Sequence, residues 1–203
     1  IHLFHPAFRR LKEEAARLGR LTHIRAEGGS WGPFRADTSP LWDYGPHDVS
    51  MCLDLIGEAP SSVAAEREEA RQTGEGYGEV VSLRLEFPGG GRAAVRVGNL
   101  MPEKRRRLTA YCERGALDFN DLAADKLILH EGAPPPPSGE DPAPPPGAGR
   151  PAPVSDALPL TCAVEAFAAA IRGESREGLG LALAVEVVRV LTACDAALPA
   201  PPA

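Results

Sequence analysis

The chain has 203 residues, 43% hydrophobic and 25% charged, which is enough for one substantial domain of ordinary water-soluble composition. A formal charge of -6 argues against a general binder of nucleic acid or of anionic membranes. The single dense basic run, Lys104 to Arg107, is too short to alter that.

Ile1 is not Met, and Ile1-His2-Leu3-Phe4 reads as the tail of a strand entered from upstream, so the natural polypeptide is expected to extend further toward its N-terminus. Pro6 opens a helix to Leu18, with Phe8, Leu11, Ala15 and Leu18 at helical spacing and Gly19 as the stop. Leu21 to Ala26 alternates as a strand running toward Gly28-Gly29, and the polar, aromatic segment Ser30 to Tyr44 reads as a loop. A second helix is expected over Pro46 to Ile56, with Val49, Cys52, Leu53 and Ile56 on its apolar face. Strands follow at Ser62 to Glu66 and Glu79 to Phe87, the latter joined by Pro88-Gly89-Gly90-Gly91 to Arg92 to Val97 as a hairpin. Arg106 to Glu113, Gly115 to Phe119 and Lys126 to His130 complete a set of six or seven strands.

Residues 132 to 153 hold ten of the chain's 21 prolines and no apolar period, the composition of a surface loop inserted between ordered elements. Helical spacing returns with Val164, Phe167, Ala168 and Ile171, ending at Gly173. A final helix over Gly178 to Ala197 is expected to lay Leu181, Val185, Val188 and Leu191 on the sheet, ahead of a frayed tail at 199–203. The fold class is therefore α+β: one domain, residues 1–198, with a large, mostly antiparallel sheet covered on one face by helices. Cys52, Cys112, Cys162 and Cys194 form no CxxC pair and lie among apolar neighbours, as buried free thiols in a reducing compartment do. No signal peptide is evident, and the apolar run Leu179 to Leu191 carries Glu186 and Arg189 and is short for a membrane span, so the expected location is the cytoplasm.

The stretch richest in chemistry is Gly32-Pro-Phe-Arg-Ala-Asp37 followed by Leu41-Trp-Asp-Tyr-Gly-Pro-His-Asp48. Asp43 and His47 are four apart, and on a helical turn their side chains share a side. A carboxylate beside an imidazole raises its pKa and orients it, which suits a proton shuttle near neutral pH. Trp42 and Tyr44 offer flat walls to a sugar ring. The plainer reading is an Asp that caps a helix and a His satisfied at the surface.

In these residues the chain resembles the C-terminal domain of the Gfo/Idh/MocA family of oxidoreductases, most of all its nucleotide-sugar 3-dehydrogenase branch. The matching pieces, in order, are Leu3-Phe-His-Pro-Ala-Phe-Arg-Arg-Leu-Lys12, Gly32-Pro-Phe-Arg35, Leu41 to Ser50, Pro102-Glu-Lys-Arg105, Leu108 to Leu117, and Pro159-Leu160 ahead of the Glu165/Phe167 helix. The resemblance implies a sheet that carries the oligomer interface, hence a homo-oligomer. It also implies a separate N-terminal Rossmann domain for NAD or NADP, absent from this chain, and a sugar or nucleotide-sugar substrate bound where the two domains meet. By the same resemblance His47 is the active-site histidine and Asp43 its acidic partner. Arg35 and Lys104 are candidates to pair with a carboxylate or phosphate of the substrate, and exposed salt bridges are the alternative reading of both. The chain departs from the pattern in having no GxGxxG after a strand, no Glu-Lys-Pro, and Ser50 where many relatives carry an acid. This chain alone is accordingly expected to bind no nicotinamide cofactor. The alternative function is a non-catalytic sugar-binding or self-association module derived from the family.

Overall fold

A computed structural model describes residues 1–132, 145, 149–174 and 180–199. Most of the Pro-rich insert, the first residues expected of the last helix and the tail at 200–203 lie outside the described residues.

Eight strands form one sheet in the order β2-β3-β4-β1-β5-β6-β7-β8. They are β1 (Leu21–Trp31), β2 (Ser62–Thr73), β3 (Gly76–Glu86), β4 (Arg92–Gly98), β5 (Leu100–Cys112), β6 (Gly115–Asn120), β7 (Leu127–Glu131) and β8 (Arg150–Pro151). Every neighbouring pair is antiparallel except β1 and β4, which run parallel with Ile24 beside Ala93. The helices are α1 (Pro6–Leu18), α2 (Pro40–Ile56), α3 (Pro159–Ile171) and α4 (Leu181–Ala197), preceded by a single 3-10 turn, His2–Phe4. The N-terminal residues thus form that turn and not the tail of a strand.

Alternation along each strand decides which face is covered. Ile24 and Ala26 of β1, Val81, Leu83 and Leu85 of β3, Val95 and Val97 of β4, and Leu108 and Ala110 of β5 point into one core with Phe8 and Leu11 of α1, Leu41, Val49 and Cys52 of α2, and Val190 and Leu191 of α4. The opposite face of the same strands carries Arg25, Glu27, Arg96, Arg107 and Thr109. Cys52, Cys112 and Cys194 are buried free thiols, and Cys162 is half-buried.

Four expectations shift. Helix α2 begins at Pro40, so Pro46 stands inside it. Pro40 fits the first turn as well as Pro46 does, and the proline at 46 merely leaves the Trp42 carbonyl without its helical donor. Strand β2 continues to Thr73, because its second half is a charged edge wetted on both sides and shows no alternation. The run Leu100–Cys112 is one strand, its exposed charged middle masking the period in the same way. Lastly, α4 buries Val187, Val190, Leu191 and Cys194, while Leu181, Val185 and Val188 face outward. Apolar residues surround that helix, so its periodicity cannot choose a face; Gly45 does. A Cβ there would stand 2.9 Å from Leu191 Cδ2, and the bare backbone lets α4 settle on α2. Helix α3 buries nothing: Leu160, Val164, Phe167 and Ile171 are exposed, so that stripe is not a core face.

Candidate functional site

The His2–Phe4 turn, the first half of α2, the last part of β1 and the middle of β5 border a cleft of about 250 Å³. His2, Gly28, Asp43, Tyr44, His47, Asp48, Arg105, Arg106 and Phe119 line it. Asp43 and His47 share the side of α2 that meets the cleft, as a four-residue separation on a helix requires. No hydrogen bond joins them among the described residues. Asp43 instead lies 3.7 Å from Arg35 Nη1, and the His47 ring meets His2 edge-on at 5.0 Å between centroids.

The charges of the cleft follow from how little water reaches it. His47 is held below its ordinary value by burial first, with Arg106 adding to it; Asp43 opposes them and does not prevail. The expected upward shift from that carboxylate is thus outweighed by desolvation. His2 falls to about 4 through burial and its histidine neighbour. Asp48 moves the other way, pushed up to about 7 by burial with Arg106 pulling it back. Behind the cleft, Arg106 Nη1 lies 3.5 Å from Asp121, which also accepts from His5 Nε2 at 3.1 Å. Because His5 Nδ1 accepts the Ala7 N–H, Nε2 carries the ring proton. Asp121 thereby anchors both β5 and the start of α1.

Residues 8–118 match the GFO/IDH/MocA C-terminal domain, over half the chain. The chain belongs to the Gfo/Idh/MocA family. Among solved structures, a candidate oxidoreductase from Magnetospirillum magnetotacticum MS-1 is 41% identical, with a TM-score of 0.83 over 95% of this chain and 61% of its own. The UDP-N-acetylglucosamine 3-dehydrogenase of Acidithiobacillus ferrooxidans shares the fold at 19% identity and a TM-score of 0.70, over 97% of this chain and 61% of its own. So does the biliverdin reductase of Synechocystis sp. PCC 6803, solved with biliverdin and NADP+, at 17% identity and 0.74, over 97% and 60%. This Gfo/Idh/MocA chain therefore spans about 61% of the length of the first of these relatives. No curated protein matches it.

Of the residues singled out from sequence, His47, Asp43 and Tyr44 reach the cleft of this Gfo/Idh/MocA domain, and the other three do not. Tyr44 spends its hydroxyl on the Gly32 carbonyl and Ser30 Oγ, each at 2.9 Å, and so pins the loop that leads into α2. Trp42 points to α4, where its Nε1 donates to Asp195 at 3.4 Å. Arg35 is held by Asp37 at the surface, and Lys104 is exposed and outside the cleft. Neighbours of Lys104 on β5, Arg105 and Arg106, supply the cations. Sequence reasoning missed these two, His2 and Asp48. A helical wheel turns Asp48 about 100° from His47 and so away from it. The available signal was Gly28-Gly29 inside a strand, a mark of close approach by something else. The fit to a dinucleotide is poor: Pro88-Gly89-Gly90-Gly91 turns β3 into β4, and no helix N-terminus follows it to receive a pyrophosphate.

Proposed function

We propose that this chain is the substrate-binding half of an NAD(P)-dependent oxidoreductase that acts on a hydroxyl of a sugar or nucleotide sugar. The nicotinamide belongs to an N-terminal Rossmann domain outside the chain. The observation that carries the reading is the grouping of His47, Asp43, Asp48, Arg105 and Arg106 around one small polar cleft in a domain of this family. His47 is neutral near pH 7 and free to take the hydroxyl proton. Asp43 orients the same face, and the two guanidiniums suit the phosphates of a sugar nucleotide. Buried free thiols agree with the cytoplasm. No helix among the described residues is long and apolar enough to cross a membrane. The uncovered face of the sheet is the surface through which we expect copies of the protein to associate.

The test is nicotinamide reduction by the full-length polypeptide with UDP-N-acetylglucosamine and related sugars. His47→Ala is expected to lose about 10²- to 10⁴-fold in turnover while cofactor affinity stays unchanged. Wild-type turnover in that variant would remove His47 from the reaction, and the reading with it.

A further inference from the structure

The cleft holds one acid that the reading above leaves without a task. Asp48 is only 4% exposed and lines the cleft, yet among the described residues no hydrogen bond or ion pair reaches its carboxyl group. Space for it exists because β1 carries glycine at position 28, where any Cβ would collide with Asp48 Oδ2. A buried carboxylate without a donor or a cation in contact is costly, and an unpaired polar group on a cleft wall is a natural partner for a ligand hydroxyl.

Resting on the sugar-site reading, we propose that Asp48 is a ligand-binding residue whose carboxyl group hydrogen-bonds a second hydroxyl of the sugar, beside the one that His47 addresses. The two side chains leave α2 about 100° apart and both line the cleft, which lets them address neighbouring hydroxyls of one ring. His2 of the N-terminal turn, Asp43 and His47 of α2, and Arg105 and Arg106 of β5 face the same space, and the Cys52 thiol lies one turn further along α2. Burial lifts Asp48 to about 7, against the pull of Arg106. A sugar hydroxyl can accept from the acid or donate to the carboxylate, so the contact survives a change of charge on Asp48.

The probe is UDP-N-acetylglucosamine, with free N-acetylglucosamine in parallel, titrated calorimetrically into the full-length polypeptide at about pH 6.5 and about pH 8.5. Asp48→Asn, which also donates and accepts, is expected to bind within a few-fold of the wild type at both values, whereas Asp48→Leu binds about tenfold more weakly at both, the scale of one good hydrogen bond. Carboxyl-carbon NMR of the wild type gives a check that needs no variant to fold: the Asp48 signal is expected to shift on saturation with the sugar. Wild-type affinity in Asp48→Leu, or an Asp48 signal unmoved by saturating sugar, overturns the role of Asp48 and leaves the sugar site standing. Absence of binding by either probe overturns the sugar-site reading itself, and this role with it.

Discussion

The carboxyl group of Asp48 fills the space that a side chain on Gly28 would take, so strand β1 and helix α2 meet where one has no Cβ and the other has an acid. Gly28→Ala is expected to lower stability by about 1–3 kcal/mol through overpacking. In an Asp48→Ala background most of that cost disappears, because the colliding atom is gone. Urea unfolding of the four proteins of this cycle gives the coupling, and equal costs in both backgrounds would mean that some other neighbour sets the limit.

Asp48 also ties stability to pH. Its folded value lies near 7 against 3.8 for the free group, so between those values the folded chain holds a proton that the unfolded chain has released. Its contribution is fully present below about 3.8 and is lost as pH rises through about 7, at most about 4 kcal/mol from a shift of this size. His2, lowered to about 4, acts in the opposite sense, adding stability as pH rises from about 4 to 6.5. The two slopes oppose each other in the wild type. Asp48→Asn is expected to expose the rise from the histidine and to be the more stable protein at pH 8, as denaturant midpoints across pH will record.

Under the proposed function, the neutral form of His47 is the proton acceptor in the full-length polypeptide. Since burial holds it below 6.5, the acid limb of kcat/KM for alcohol oxidation is expected below the range of an ordinary imidazole. A limb at or above 6.5 would point to a different base.

Glu79 is buried beneath the sheet edge, where Arg67 Nε donates to it at 2.8 Å and the Tyr77 hydroxyl at 3.0 Å. Glu79→Ala or Arg67→Ala leaves a buried partner uncompensated and is expected to cost about 3–5 kcal/mol, whereas Arg67→Met with Glu79→Leu recovers most of it. Thermal unfolding of the singles and the double decides the matter; singles as stable as the wild type would show the pair to be idle.

Leu191 is 1% exposed and Phe167 60% exposed, although both stand on apolar helical stripes. Leu191→Ala is expected to cost about 2–5 kcal/mol and Phe167→Ser less than about 0.5 kcal/mol in this chain, measured by denaturant midpoints. A large loss on changing Phe167 would place α3 in the core.

Sheet and helix types were legible because alternation and helical spacing are strong wherever one face is buried, as in Leu83, Leu85 and Phe8, Leu11. Boundaries were lost where both sides of an element are wet, as along Glu66–Thr73, or apolar all round, as in α4. The parallel seam between β1 and β4 left no local trace, since partners so distant in the chain share no pattern. Asp43 and His47 could be read together because one helix carries both. Arg105 and Arg106 come from another strand, and Asp48 faces the cleft only because β1 lacks a Cβ at Gly28; neither fact is local to the motif.

The place of β1 in the middle of the sheet has a consequence for how the chain is made. During synthesis this strand emerges well before either lateral partner: Ile24 must wait first for Ala93 and then for Ala110. The β3–β4 hairpin can zip as soon as it leaves the ribosome; β1 gains one lateral partner there and the other only when β5 arrives. The wall of the cleft that includes Gly28 is then complete only once β5 has been made.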